Sequence, residues 1–540
     1  MESQSFNTID YVVFIGYAVL IIFLGLWVSR EKKGHKKTAQ DFFLASKALP
    51  WWVIGASLIA SNISAEQFIG MSGSGFAIGL AIASYEWIGA VTLILVAIFI
   101  LPVFLEKKIY TMPQFLEMRY DKRVRTAMAS FWLLVYVFVN LTSILYLGAL
   151  ALETIMGIPL LYGILGLALV AGLYSIYGGL TAVAWTDVLQ VILLIGGGLL
   201  TTYLAVDAVG AGNGFFAGMK EIFERAPDKF VMILEEGEMM IPDGKGGMRD
   251  AYQDLPGLAM LLGGIWIANI SYWGFNQYII QRGLAAKSVQ DAKNGLLFAG
   301  YIKLLIPLIV VIPGIAAYIL TQNDPSMINP SDKAYPWLLH SFIPPGLKGL
   351  AFAALAAAIV SSLGSMVNSI STIFTMDIYR NIYKGSSDDK LVRTGRIVSF
   401  LALVVAVLTA KPLLGNLDQA FQYIQEFTGF VTPAVVAIFV LGIFWKKTTP
   451  NAALWMAILT IPLSWAFKAL MPEFPFLNRM MIVFLLLALI GIVVSIIEGK
   501  GKDQPNAVEL NKSLFVTSNT FIAGSILMLG MTAALYIIFW

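Results

Sequence analysis

Apolar runs of about 20 residues, separated by short polar segments, recur along the chain from Tyr11 to Trp540. That length is what a helix needs to cross a hydrocarbon core about 30 Å thick. Runs such as 482–494 are apolar on every side, whereas a membrane-spanning strand alternates over about ten residues between lipid and a polar lumen. Helices therefore fill the spans, because a helix satisfies its backbone polar groups within one segment. The pattern predicts an all-α polytopic membrane protein with about 14 transmembrane helices, at roughly 10–29, 50–75, 79–104, 124–153, 158–178, 185–207, 257–279, 294–320, 346–378, 395–412, 420–445, 451–471, 479–498 and 517–540.

Charge orients these spans. With the N-terminus outside, the inner connections collect Arg30, Lys32, Lys33, Lys36 and Lys37, then Lys107, Lys108, Arg119, Lys122, Arg123 and Arg125. Arg380, Lys384, Lys390, Arg393, Arg396, Lys446 and Lys447 continue the alternation. About 25 of the 36 basic residues fall inside, as the positive-inside rule favours, so both termini are predicted to lie outside. The first apolar run lacks a basic leader and a small-residue cleavage site, and reads as an anchor rather than a signal peptide.

Composition agrees: the chain is 58% hydrophobic and 13% charged, where a soluble domain carries roughly 25% charged residues. A net charge of +3, with the basic residues beside spans, points to anionic lipid rather than nucleic acid. The absence of cysteine excludes disulfides and thiolate metal sites. The two histidines, His35 and His340, fall in predicted loops, which argues against a histidine metal site.

The chain reads as one membrane domain. Its longest polar stretch, 208–256, contains a candidate surface helix at 215–225 stopped by Pro227, and 499–516 reads as an inner connector. One internal echo stands out: Ser61-Asn62-Ile63-Ser64 in the second span and Ala268-Asn269-Ile270-Ser271 in the seventh. Five spans apart and opposite in direction, the two segments fit an inverted repeat, and both are polar enough to break a helix.

Polar groups inside a span cost a few kcal/mol unless they face protein or a water-filled cavity. The run from Ser61 to Gln67, with Glu66 inside it, is the strongest such anomaly, and Gly70, Gly73 and Gly75 after it suit an unwound backbone. Ser84, Tyr85, Glu86 and Trp87 form a second set; Trp87 taken alone reads as an interfacial belt residue. Asn269, Ser271, Tyr272, Trp273, Asn276 and Gln277 form a third, with Lys303 about ten residues into the eighth span, too deep for a topology signal. Rings beside amide, carboxylate and ammonium groups make a surface that stacks on apolar sugar faces and hydrogen-bonds hydroxyls.

Ser361, Ser365, Asn368, Thr372 and Thr375 repeat at helical spacing along the ninth span, with Ser362 beside them. Such a stripe often serves helix packing; Ser361 and Ser362 also offer the hard oxygens a hard cation prefers. Phe421, Gln422, Tyr423, Gln425 and Glu426 head the eleventh span, as cavity groups or as outer-loop polarity. Asp187 follows the turn at 177–180, and is also placed to favour a helix N-terminus.

Together these residues resemble the sodium/solute symporter family, in particular its bacterial sodium/galactose branch. The resemblance is carried by ASLIASNISAEQFIGMSGSG from Ala56 to Gly75, YSIYGGL from Tyr174 with Trp185-Thr186-Asp187, YWGFNQYIIQR from Tyr272, ALAAAIVSS from Ala354 and AFQYIQE from Ala420. It implies a leucine-transporter-like core of two inverted five-helix repeats, 50–207 and 257–445, with residues 1–49 before it and three helices in 446–540 after it. It implies Na⁺-coupled symport of a hexose by alternating access, with Na⁺ as coupling ion and no organic cofactor. The sugar would lie among Gln67, Glu86, Asn269, Lys303 and Gln425, with Tyr272 as inner gate and Met71, Tyr85 and Phe421 closing the outer side. Carbonyls of Ala60, Ile63 and Ala358 and hydroxyls of Ser361 and Ser362 would hold Na⁺, and Asp187 would lie on its inward exit path. The membrane would be a bacterial inner membrane.

Two positions depart from the branch's pattern: Gly89 replaces a sugar-contacting Ser, and Ser271 replaces a Tyr beside the gate. One lost hydroxyl contact changes sugar binding by about 1 kcal/mol. The alternatives are a symporter of the same family for a sialic acid, carboxylate or amino acid, and a membrane sensor. An anionic substrate calls for an Arg or a free helix N-terminus, which Glu86 opposes. The sequence contains no zinc-protease or P-loop motif that would indicate an enzyme.

Overall fold

The computed structural model describes residues 7–28, 38–242, 247–414 and 420–540. The first inner connection, with Arg30, Lys32, Lys33, His35, Lys36 and Lys37, lies outside them. Among the described residues, extended structure is confined to one isolated bridge and a small hairpin, Met240–Pro242 with Met248–Asp250; the rest of the ordered structure is helical. Among the described residues, ten helices are long and apolar enough to cross a membrane, and two bent helix pairs raise the number to 12.

Burial sorts these helices. Leu347–Ile382 has 94% of its apolar window buried, against 17% for Thr8–Val28, so the former runs through the centre and the latter lies against lipid. Small residues permit the central packing, because backbones approach closely where side chains are short. A Cβ added at Gly197 would lie 2.5 Å from the Ala354 Cβ, and these two helices make the most extensive contact in the protein. At the other end, Asp10 of the first helix is buried and caps the central one. Its Oδ1 accepts from the Gly346 and Gly349 N–H groups at 2.8 and 2.7 Å, a carboxylate at the positive end of a helix dipole.

Three apolar helices are broken inside the bundle. Trp51–Asn62 stops at Ile63, whose ψ of 98° is extended, and resumes as the wide turn Glu66–Met71 and then Ser72–Ala77. Ala251–Leu262 and Gly264–Phe275 meet at 83°, and Ala420–Thr428 and Thr432–Phe444 at 46°. The first break falls at the polar run that the sequence marks. The second falls at Gly263, and the echo at 268–271 stays helical, widening only from Ser271 to Phe275. Gly70, Gly73 and Gly75 do not unwind the chain. They lie in helical turns and admit close neighbours: a Cβ at Gly70 would lie 2.9 Å from the Phe421 Cβ.

Other expectations change in detail. The spans expected at 158–178 and 185–207 are joined without a loop, the direction changing at Gly179, whose φ of 64° and ψ of −159° suit only glycine. Asp187 consequently lies more than a turn inside its helix, not at an N-terminus. His340 sits in a short helix, Ala334–Phe342, rather than a loop. Trp87 is buried, edge-on to Tyr536 at 5.9 Å, and is no belt residue. The surface helix forms as expected at Phe215–Arg225.

Replacing Gly179 by Ala forces a Cβ into that backbone conformation, at a cost of about 1–3 kcal/mol. Thermal unfolding in detergent should show a lowered midpoint; an unchanged midpoint would mean that the turn relaxes without cost.

Candidate functional site

The three breaks surround a cavity of about 100 Å³. Asn62, Glu66 and Gln67 reach it from the first broken helix, Tyr85 and Glu86 from Ser84–Leu95, and Asn269, Ser271, Tyr272 and Trp273 from the second broken helix. Lys303 comes from Val289–Leu320, and Phe421 and Gln425 from the third broken helix. Each break serves the same end: it turns polar side chains inward at a depth where a continuous helix would face other helices.

Lys303 organises the polar side. Its ammonium donates to Glu86 Oε2 at 2.6 Å and to Asn62 Oδ1 at 2.8 Å, and lies 4.6 Å from the centre of the Trp273 ring. Asn62 Nδ2 donates in turn to the Tyr272 hydroxyl at 3.1 Å, which also accepts from the Tyr278 hydroxyl. Lys303 therefore does not snorkel to the interface. Glycine at 89 makes room for it: an added Cβ would lie 2.7 Å from Lys303 Cε and 2.9 Å from Asn269 Oδ1. Gln67 Oε1 accepts from the Ser64 N–H at 3.0 Å and closes the turn after the break.

Aromatic rings bound the cavity. Tyr85 and Phe421 meet edge-on, centroids 5.3 Å apart, and both are buried. The Tyr85 hydroxyl has no hydrogen-bond partner among the described residues, an unmet requirement that a polar ligand can satisfy. Tyr272 packs edge-on to Trp273 at 5.1 Å. Met71 is buried but takes no part in the lining; the other eight residues expected around a sugar all do.

Beside the cavity, the end of Trp51–Asn62 faces Leu347–Ile373. Ala60, Ile63, Ala358, Ser361 and Ser362 are all buried here, and the Ser362 hydroxyl donates to the Ser61 carbonyl at 3.1 Å. A helix terminus leaves carbonyls without intrahelical partners, so the break supplies carbonyl oxygens where the facing helix supplies hydroxyls. That donor set suits a hard cation such as Na⁺. Asp187 adjoins it, accepting from the Ser57 and Ser361 hydroxyls, each at 2.5 Å.

Several residues here escape the sequence reading. Arg282 is fully buried, donates to the Ser57 hydroxyl at 3.1 Å and to Ser365 and the Tyr278 carbonyl, and lies 3.9 Å from Asp187. Its burial is invisible in sequence, where it looks like an inner-end charge. Trp132, Tyr136 and Asn140 also line the cavity, as do Phe476 and Met480 from the helix Phe476–Gly499. Ser143 donates to Glu66 Oε1 at 2.8 Å. These residues lie in spans with no local polar run to mark them.

A helical membrane bundle whose broken helices enclose a polar cavity, with oxygen donors for a cation alongside, is the architecture of a secondary transporter. Residues 42–460 match the family described as "Sodium:solute symporter family", and the chain belongs to that family. The sodium/glucose cotransporter of Vibrio parahaemolyticus is 52% identical over 98% of both chains. The sodium/myo-inositol cotransporter 2 of Oryctolagus cuniculus is 34% identical over 83% of this chain and 68% of its own. Among solved structures, a Na⁺-coupled sialic acid symporter in a substrate-bound outward-open state aligns with a TM-score of 0.78 at 26% identity, over 91% of this chain and 98% of that one. A nucleobase-cation-symport-1 family transporter, at 14% identity and a TM-score of 0.53 over 91% of this chain and 99% of that one, shares the fold. The chain is an integral membrane transporter and not an enzyme.

Removing Lys303 alone, as Lys303→Met, strands a buried carboxylate and should destabilise the protein by about 3–5 kcal/mol. Adding Glu86→Gln should recover a large part of that loss. Unfolding midpoints of the wild type, both single variants and the double variant check this, and additive losses would refute the pairing.

Proposed function

We propose that the cavity binds a hexose of the galactose/glucose class and that the adjoining oxygen cluster binds the Na⁺ that drives its uptake. The observation that carries this reading is that one helix break serves both sites. Asn62, Glu66 and Gln67 face the cavity, while the carbonyl and hydroxyl of Ser61 meet the Ser362 and Ser365 hydroxyls of Leu347–Ile373. A cation that fixes the break therefore fixes Asn62, which faces the cavity, and Gln67 four residues beyond Ile63.

Gln67, Glu86, Asn269, Lys303 and Gln425 bond the sugar hydroxyls, with Tyr272 on the inner side and Tyr85 and Phe421 on the outer. Met71 closes the outer side with them. Na⁺ is held by carbonyls of Ala60, Ile63 and Ala358 and by Ser361 and Ser362, and leaves inward past Asp187. Na⁺ binds first, sugar completes the occluded state, and rocking of the core exposes both to the cytoplasm. One charge moved down about 100 mV supplies about 2.3 kcal/mol, or roughly 50-fold accumulation.

The remaining topology follows the same reading. The broken helix 51–77 and the shorter apolar helix Leu160–Leu173 bring 12 spans to about 14. Residues 50–207 and 257–445 form the inverted repeats, with 1–49 before them and 446–540 after. Both termini lie outside a bacterial inner membrane. An uncharged polyol is favoured over a sialic acid or other anion, because among the described residues the cavity lining carries Glu66 and Glu86 against the one cation Lys303. A sensor role would show binding without movement of Na⁺.

Proteoliposomes with an inward Na⁺ gradient should accumulate labelled galactose or glucose, and should not do so in K⁺. Gln425→Ala should lower uptake at least tenfold, and Ser362→Ala should raise the half-saturating Na⁺ concentration about tenfold, the loss of one or two hydrogen-bond equivalents. Uptake of neither hexose by intact protein would sink the sugar assignment.

A further inference from the structure

The N-terminal helix Thr8–Val28 takes no part in lining the first cavity, yet it helps to enclose a second one. This cavity, of about 180 Å³, lies between that helix, the helix Leu160–Leu173 and the centre of Leu347–Ile373. Phe14, Tyr17 and Ile21 face it from one side of the first helix, and Gly163 and Gly166 from one side of the second. Ala356 and Val360 form its floor.

The occupant follows from the surroundings. The lining is carbon almost throughout, and the Tyr17 hydroxyl is engaged by Gln190 Nε2 at 3.4 Å. Water requires two to four polar partners and finds too few here, while an empty void forfeits dispersion contacts. The cavity opens to the outer surface of the bundle, because Tyr162 and Gly166 both line it and are exposed. Tyr162, 66% exposed, stands at its mouth, as an amphipathic ring does near headgroups.

We propose that this cavity binds one acyl chain of a membrane phospholipid, and that its filling tunes Na⁺ binding on the far side of the same helix. At about 100° per residue, Ala356 and Val360 share one face of Leu347–Ile373. Ala358, Ser361 and Ser362 share the opposite face. A chain in the cavity thus backs the helix at the level of its cation donors. Tyr17 adds a second route, because Gln190 lies one turn beyond Asp187 on the same helix. The lipid site stands on apolar geometry alone; its effect on Na⁺ rests on the sodium assignment above, so the test reads the two separately.

The protein is reconstituted in phosphatidylethanolamine and phosphatidylglycerol vesicles containing a phospholipid with a diazirine in its acyl chain. After illumination, labelled peptides are mapped by mass spectrometry. Label should concentrate on the peptides bearing Tyr17 and Gly166. Gly166→Trp should remove most of it without changing the label on Asp388–Leu414. A Cβ at Gly166 meets nothing within 4 Å, so the substitution starts without a backbone clash, and Gly166→Leu is the smaller variant if the first is poorly folded. In the same vesicles, the half-saturating Na⁺ concentration for uptake should shift about fivefold, with uptake at saturating Na⁺ retained. Uniform label on all lipid-facing helices overturns the site. Displaced label with an unaltered half-saturating Na⁺ concentration overturns the coupling. Absence of Na⁺-dependent uptake in the wild type would sink the transport reading instead, and the label would still decide the lipid site.

Discussion

An ammonium group at the middle of a bilayer costs about 2.5–3.5 kcal/mol even on the mildest scale unless it is paired. Lys303 is paired twice, with the Glu86 carboxylate and with the Asn62 amide. Asn62 is the last residue of its helix before the chain breaks at Ile63. The lysine thus ties a charged pair to the position where the backbone leaves the helix, and the rest of the site hangs on that position. Carbonyls freed on one side of the break turn to the hydroxyls of the facing helix. Side chains beyond it turn to the cavity. A rigid, continuous second helix would present neither set.

The same constraint explains the central helix. Leu347–Ile373 is buried along nearly its whole length, so its serines and threonines meet little water and mostly bond to the protein, although Ser371 Oγ has no partner among the described residues. Some return to their own backbone, as Ser365 does to the Ser361 carbonyl at 2.9 Å. Others reach across, as Ser361 does to Asp187 and Ser362 to the Ser61 carbonyl. The stripe is therefore both packing and chemistry, decided residue by residue. The N-terminal helix steadies it from outside, with Asp10 at its start and the apolar cavity at its middle.

Much of this was legible in the chain. Ser61 to Gln67 announce the first break because polar residues have no other reason to cluster in a span. Glu86 and Lys303 each stand out because neither survives alone in hydrocarbon, but that they pair with one another is visible only in the fold. What stayed hidden depends on long-range geometry. Arg282 looks like an inner-end charge until helix packing buries it beside Asp187. Gly263 breaks its helix five residues before the echo, and the adjoining Gly264 leaves no room for a Cβ beside the Leu477 backbone, which belongs to a helix more than 200 residues away. Gly70 reads as an unwinding residue, yet it serves the close approach of Phe421. Met480 and Trp132 sit in unmarked apolar runs, and only the fold carries them to the cavity.

If one break couples the two sites, the coupling is reciprocal. The direct test is equilibrium binding of labelled galactose to purified protein at a series of Na⁺ concentrations, paired with Na⁺ titrations at a series of galactose concentrations. Na⁺ should tighten galactose binding by a factor of about 5–150, and galactose should tighten Na⁺ binding by the same factor. Galactose affinity that is equal in Na⁺ and in K⁺ would contradict the account, because the break would then shape one site without the other.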